Sequence, residues 1–283
     1  MKVATIVVLY NPEKECLHPL IDEILQQTDT LYLIDNSSEE LKMSFDSSRV
    51  HYIPLRSNRG IAAAQNVAIR EILLCDYDYI LFGDQDSIMP SHAVEHMIKT
   101  FRLLEDKGIK VGSVGSKAFC KQTGLPYSYG PSLLNQEVVD GVSEVSYVMN
   151  SISIYKTSFF RENGLMNEFL FIDAVDCEVC WRAAVKGYRF FIDNGVHIGH
   201  LLGLGQRRFL GRNLSITPPG RVYYQYRNFF WLMHCKYVPH AWLRYNGWKY
   251  LVKMFFYPIL VKPRLLYAKN ILKGLASGIK RTA

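Results

Sequence analysis

No aspartate or glutamate occurs after Asp193. Residues 194–283 carry fifteen lysines and arginines with no carboxylate among them, whereas residues 1–193 carry 18 basic against 26 acidic groups. The net charge of +7 therefore conceals an acidic first part and a strongly basic last part. Such a split points to an anionic surface as partner of the C-terminal part alone. Anionic lipid suits that role. Nucleic acid does not, because the acidic first two-thirds and its carboxylate pairs are ill matched to a phosphate backbone.

Long apolar runs are also missing. The best stretch, Tyr250–Val261, is interrupted by Lys253 and Pro258 and is too short to span a bilayer. No G-x-G-x-x-G and no G-x-x-x-x-G-K-[ST] is present, which argues against hydride transfer to NAD and against P-loop hydrolysis of ATP. Cys177-Glu178-Val179-Cys180 is a C-x-x-C without a second pair, so a four-thiolate zinc site is not expected, and packing inside a helix is. The other cysteines (Cys16, Cys75, Cys120, Cys235) are scattered. Met1 leads straight into the strand-like KVATIVVLY with no signal-peptide pattern, so a cytoplasmic protein with reduced thiols is expected.

A chain of 283 residues, 49% hydrophobic and 21% charged, suits one large domain with a smaller appendage. Its first half alternates in type. Strands are expected at Lys2–Tyr10, Leu31–Ile34, Val50–Pro54 and Tyr79–Phe82. Helices are expected at Pro19–Gln27, Gly60–Leu74 and Ser91–Asp106, the last with Ser91 as N-cap. That alternation predicts an α/β fold with a doubly wound, mostly parallel sheet. Further on, Val145–Tyr155 and Arg189–Asp193 are strand-like, and Asp173–Lys186 reads as a helix ending at Gly187. Beyond it, aromatic and basic residues dominate.

Ligands of doubly wound sheets bind beyond the carboxyl ends of the strands. The polar residues of this sequence gather there: Tyr10-Asn11, Asp35-Asn36, Asn58-Arg59-Gly60 and Asp84-Gln85-Asp86. Asp84 and Asp86 flank Gln85 directly after a buried strand, a pair able to bind a hard divalent cation that neutralises a diphosphate. Asn58–Asn66 joins a glycine turn to a helix start of small residues, where phosphates can approach free N–H groups.

The segments VVLYNP, IDNSS, NRGIAAAQN, FGDQDS and FLFIDAVDCEVCWRAAVKGYRF stand in the order seen in family 2 glycosyltransferases of the GT-A fold. Across roughly residues 2–230 the chain resembles that family, and most of all the bacterial rhamnosyltransferases that build surface polysaccharides such as O-antigen and lipopolysaccharide. The resemblance implies inverting transfer from a nucleoside-diphosphate sugar, with Mg²⁺ or Mn²⁺ on the D-x-D pair. It implies that Tyr10, Asn11 and Asp35 contact the nucleobase and ribose, and that Asn58, Arg59 and Gly60 line the nucleotide pocket. Asp84 then approaches the ribose or metal, Asp86 ligates the metal, and His200, from an H-x-x-G pattern ending at Gly203, is either a ligand of that site or structural. The family's Glu-Asp pair falls on Val175-Asp176, so the first carboxylate is missing. Asp176 is expected as the base and Asp173, three residues earlier on one helix face, as the residue orienting the acceptor. Glu178 and Arg182 are expected to form a structural pair.

The implied donor is dTDP-L-rhamnose, with UDP-galactofuranose and UDP-hexoses as alternatives. The implied acceptor is a lipid-linked or polysaccharide glycan. The expected division is a catalytic domain over residues 1–220, its nucleotide-binding half 1–116 and acceptor half 117–220, with a helical extension over 221–283. Part of that extension, Tyr223–Trp231, can serve as core. From Trp242 onward (Trp248, Phe255 and Phe256 included) it is expected to lie on the membrane, holding the enzyme on the inner face of the plasma membrane. Contact with the acidic part of a second subunit is the alternative use of its charge. Two rivals carry less. A sugar nucleotidyltransferase needs a glycine-rich basic loop where Tyr10-Asn11-Pro12-Glu13 stands, and a binding module without catalysis has no use for the carboxylate pairs.

Overall fold

The computed structural model describes residues 1–45, 47–86, 89–120, 124–126, 132–200, 206–209 and 212–280. It divides into two compact units, Met1–Phe171 with Val175–His200, and Ile172–Ala174 with Leu201–Ala283.

The first unit is built on one sheet of nine strands. The central strands β1 (Val3–Leu9) and β2 (Thr30–Asp35) are continuous apolar runs because both faces of a parallel sheet are covered. They pair in parallel with each other, β2 with β3 (Val50–Pro54) and β1 with β4 (Tyr79–Asp84). The other half is mixed, with β5 (Val111–Cys120), β6 (Leu133–Val139), β7 (Val142–Val145), β8 (Ser153–Lys156) and β9 (Arg189–His200). The order across the sheet is β3-β2-β1-β4-β8-β5-β9-β7-β6. Helices α1 (Lys14–Gln27), α2 (Ile61–Leu73), α3 (Ala93–Asp106), α4 (Thr157–Asn163) and α5 (Val175–Ala184) complete the α/β unit. On α3 the inward stripe Val94, Met97, Ile98, Phe101 and Leu104 follows the helical period and joins the main core.

Several boundaries differ from the sequence expectation, each for a local reason. Ser91 does not cap α3: His92 holds the N-cap position in a left-handed conformation, φ 62°, without a side-chain cap. The stretch Val145–Tyr155 is not one strand, since β7 ends at Val145 and β8 begins at Ser153. The helix expected from Asp173 starts at Val175. Asp173 and Ala174 have φ 70° and 62°, which no right-handed helix accommodates, so Asp173 does not share a helix face with Asp176.

The second unit contains the hairpin β10 (Gln206–Phe209) and β11 (Arg212–Ser215), and helices α6 (Pro219–Leu232), α7 (His240–Leu260) and α8 (Arg264–Lys280). Val222, Tyr226, Phe256, Tyr257, Val261, Tyr267 and Ile271 form its core. Helices α6 and α8 touch through glycines: a Cβ on Gly274 would lie 2.5 Å from the Tyr223 carbonyl oxygen. The expectation for the aromatics from Trp242 onward is corrected in part. Trp242, 7% exposed, packs on Phe229 at 6.0 Å between ring centroids, and Phe256 is core, whereas Trp248 is 63% exposed and Phe255 is exposed with it. Helical spacing sorts them, with 242, 246, 253, 256 and 257 facing inward. Among the described residues no helix is long and apolar enough to cross a membrane.

Candidate functional site

The register of the parallel strands brings the polar ends together. Asp35 pairs with Leu9 on one side and Pro54 on the other, while Asp84 pairs with Val8, so three chain segments leave the sheet at one edge. Hydrogen bonds join them there. The side chain of Gln85 brackets the backbone of Tyr10, accepting from its N–H at 2.7 Å and donating to its carbonyl at 3.3 Å. The N–H of Asn11 donates to the Ser37 hydroxyl at 2.8 Å, and that of Asn36 to the Leu9 carbonyl at 2.9 Å. Tyr10 itself is 51% exposed, so its ring is held by the backbone alone and presented to solvent.

Asp35 is 1% exposed. Its Oδ1 accepts from the Ser37 N–H at 3.0 Å, and its Oδ2 accepts from the Leu41 N–H at 3.2 Å and the Tyr52 hydroxyl at 2.7 Å. Burial and the hydrogen bond to Asp35 push the Tyr52 hydroxyl well above its usual range, keeping it a donor. A carboxylate oxygen has two acceptor sites, so Oδ1 retains capacity for one more donor.

Asn58, Arg59 and Gly60 follow on the same edge. Asn58 Oδ1 accepts from Asn36 Nδ2 and from the Gly60 N–H, and Asn36 Oδ1 accepts from the Arg59 N–H at 2.8 Å. The Ala62 N–H, at the start of α2, donates to the Phe171 carbonyl at 3.4 Å. Three N–H groups that the sequence leaves for phosphate are therefore satisfied within the protein. The Arg59 guanidinium is exposed and, among the described residues, is held by contacts of 3.4 Å to Ser57 and the Leu55 carbonyl, so it faces outward at this turn. Later in α2, Asn66 donates to the Met166 carbonyl and accepts from its N–H, both at 2.9 Å. It also donates to Glu168, fixing the segment that leads toward α5.

Asp84 closes β4 and Asp86 lies two residues beyond it, exposed on the turn. Among the described residues no group of three or more His, Cys, Asp or Glu side chains comes together as a metal cage. Two carboxylates at a strand end nevertheless fit a Mg²⁺-like ion, which takes one or two carboxylates and completes its octahedron with water and substrate phosphate oxygens. His200 ends β9, paired with Cys120; its side chain and Gly203 lie outside the described residues.

Asp176 occupies the first turn of α5, where the helix dipole favours its charge, and its Oδ1 accepts from the Cys177 N–H at 3.0 Å. The same helix carries the expected structural pair: Glu178, buried, meets Arg182 at 3.0 Å, and Arg182 also donates to the carbonyls of Asn163 and Leu165. Cys177 and Cys180 are buried free thiols. Burial pushes the Cys180 thiol up to about 12, which suits packing and not redox exchange. Asp173, in the second unit, accepts from the Arg221 guanidinium at 2.7, 2.9 and 3.0 Å, and Asn228 Nδ2 donates to the carbonyls of Ile172 and Asp173. Gln85, Tyr52, Asn66 and Arg221 are the contributors that sequence reasoning missed. Gln85 and Asn66 lie within the conspicuous motifs, whereas nothing local marks Tyr52 or Arg221.

Comparison with known proteins bears on the family and the fold. Residues 5–164 match the family model described as Glycosyl transferase family 2. Over 244 residues the chain is 30% identical to the dTDP-rhamnosyl transferase RfbF of Shigella flexneri, covering 84% of this chain and 81% of that protein. It is 25% identical over 161 residues to the poly-beta-1,6-N-acetyl-D-glucosamine synthase of Staphylococcus aureus, covering 55% of this chain and 37% of that protein. Two solved structures share the fold: GalNAc-T7 with UDP, GalNAc and Mn²⁺ (TM-score 0.57, 12% identity, 93% of this chain and 58% of that one) and S. aureus TarS (0.52, 16%, 93% and 46%).

Proposed function

The chain belongs to glycosyl transferase family 2, with the α/β GT-A fold, and from that premise we propose that it moves L-rhamnose from dTDP-L-rhamnose to a hydroxyl of a lipid-linked or polysaccharide acceptor, with inversion. The likeness to a dTDP-rhamnosyl transferase across most of both chains is the observation that carries this reading.

In this proposal Tyr10, Asn11 and Asp35 hold the nucleobase and ribose. Asp35 Oδ1, with its remaining acceptor site, takes the N3–H of thymine, which cytosine and adenine lack. Asn58 and Gly60 shape the pocket floor, and the Arg59 guanidinium reaches the nucleotide. Asp84 and Asp86, with His200 as a third candidate, would hold Mg²⁺ or Mn²⁺, whose charge offsets that gained by the departing diphosphate. Asp176 takes the proton of the acceptor hydroxyl as its oxygen attacks the anomeric carbon from the face opposite the diphosphate. The bond to the diphosphate oxygen breaks and dTDP leaves. Asp173, rigidly paired with Arg221, orients the acceptor. The catalytic part is assigned to residues 1–220, and the helical part from 221 holds the enzyme against the anionic inner face of the plasma membrane.

Competition binding of dTDP, UDP, GDP and CDP, followed by donor hydrolysis with and without divalent cation, tests the reading. It expects dTDP to bind best and dTDP-rhamnose to be consumed only with metal. Preference for GDP or CDP overturns both the Asp35 contact and the rhamnose assignment.

A further inference from the structure

The second unit contains one acidic side chain, Asp173, and fifteen lysines and arginines. Asp173 is already engaged by Arg221 in a two-pronged ion pair. Two further cations of the unit lie on α7, whose Tyr257 hydroxyl accepts from the Thr217 N–H at 3.2 Å, four residues before Arg221. Lys253 is 1% exposed, and Lys249 stands one helical turn before it on the same face. Neither ammonium forms an ion pair with any described carboxylate. Among the described residues the Lys253 ammonium makes its contact with the face of Tyr257, whose ring centroid is 5.4 Å away, and Tyr257 is itself a buried residue of the core. Polarisation by an aromatic face is a small return for desolvating a full charge.

The groups that face the two lysines are Asp173, Arg221 and Tyr257, together with each other. Counted as charges, this is three cations and one anion, with Lys253 buried, Lys249 half-buried and the Arg221 side chain still 44% exposed. An interior position normally given to a neutral residue holds a lysine, and a hydrophobic residue there would avoid the burial cost. Such an arrangement is stabilised when a multiply charged anion completes it. A carboxylate would offset one cation; a phosphate or diphosphate matches two and offers enough oxygens for all of their N–H donors.

We propose that Lys249 and Lys253, beside the Arg221–Asp173 pair, bind the phosphate or diphosphate group through which the acceptor glycan is joined to its carrier. This rests on the reading of Asp173 as the acceptor-side residue, three positions along the chain from the base Asp176. The donor's own diphosphate is the other source of the same chemistry, and the residues assigned to the donor all lie in the first unit.

The experiment is calorimetry on the full chain in two arms: inorganic pyrophosphate and a short-chain prenyl diphosphate without divalent cation, and dTDP with Mg²⁺. Wild type is compared with Lys253→Met, which matches the lysine in length and removes a buried charge, so its fold is retained, and with Lys253→Arg, which restores the charge. Pyrophosphate and prenyl diphosphate should bind wild type and bind the methionine variant roughly tenfold or more weakly, with recovery in the arginine variant. Affinity for dTDP should stay unchanged. A parallel loss of dTDP affinity overturns the acceptor assignment and gives the site to the donor. Equal pyrophosphate affinity in wild type and a folded Lys253→Met overturns the site itself. Failure of dTDP to bind any variant sinks the rhamnosyl reading and leaves the pyrophosphate comparison standing on its own.

Discussion

Gly60 and Phe171 lie so close that no side chain fits between them: a Cβ on Gly60 would stand 2.6 Å from both the ring and the carbonyl oxygen of Phe171. Gly60 also has φ 84° and ψ 158°, a region essentially reserved for glycine that costs an L side chain about 1–3 kcal/mol before any clash. The contact ties the start of α2 to the segment leading into α5. Gly60→Ala should therefore lower stability by roughly 2 kcal/mol or more, strain and clash acting together. Urea denaturation measures this, and a variant within experimental error of wild type would show that Phe171 withdraws freely.

Asp176→Asn keeps the size of the side chain and removes its basicity. Donor binding, which uses other residues, should stay as it is while transfer to an acceptor falls by about 10²–10⁴-fold. Parallel calorimetry with dTDP and rate measurement separate the two effects. Turnover near the wild-type rate would place the base elsewhere.

Asp86→Ala leaves one carboxylate, Asp84, at the end of β4. A single carboxylate holds a hard cation weakly, so metal-dependent enhancement of dTDP binding should disappear while metal-free binding persists. Titration with dTDP in EDTA and in Mg²⁺ reads this directly. An enhancement equal to that of wild type would remove Asp86 from the metal site.

The contrast between what the sequence shows and what it hides is physical. Strand ends were legible because buried β-branched runs stop abruptly at polar residues, and the order of the five motifs carries the family. The break before α5 was not, because Asp173 and Ala174 adopt left-handed backbone without glycine. What holds them is remote: Asn228 binds the carbonyls of Ile172 and Asp173 from 56 and 55 residues away. Lys253 misled for the opposite reason. In sequence it reads as a charge interrupting an apolar stretch, and in the fold that charge points inward while Phe255 points out. Composition told of a basic, aromatic tail without telling which aromatics were core.

The burial of Lys253 gives stability a characteristic pH dependence. Desolvation lowers its pKa from the ordinary 10.5 to about 8. Between those values the unfolded chain binds more protons than the folded one, so stability rises with pH across the window, by up to about 1.4 kcal/mol per pH unit for this group. Below pH 8 the full cost of the buried charge is present. Lys253→Met should accordingly be more stable than wild type at pH 7, with the gap closing toward pH 10. Urea midpoints in phosphate-free buffer at each pH decide it. Parallel curves for the two proteins would show that the ammonium is hydrated.

The exposed face of α7 carries the last prediction. Tyr245, Trp248, Leu251, Phe255 and Ile259 recur at helical spacing and are all exposed, on a unit whose charge is almost wholly positive. A helix that buries Lys253 and exposes Trp248 and Phe255 matches a bilayer surface, with apolar insertion of the exposed stripe and attraction of about 1 kcal/mol per nearby Lys or Arg of the unit. Liposome co-sedimentation at low and high salt separates the two contributions. The full chain should bind vesicles rich in anionic lipid at low salt and be partly released by salt, which screens the attraction over a Debye length. Trp248→Ser with Phe255→Ser should bind weakly at low salt and not at all at high salt, with unchanged dTDP affinity. The same change at Trp242 or Phe256 should unfold the unit, since both are core. If the full chain remains in the supernatant at low salt, the face is not a membrane surface. Its apolar stripe and unbalanced charge would then be assigned to a second copy of the chain, whose first 193 residues supply the matching negative charge.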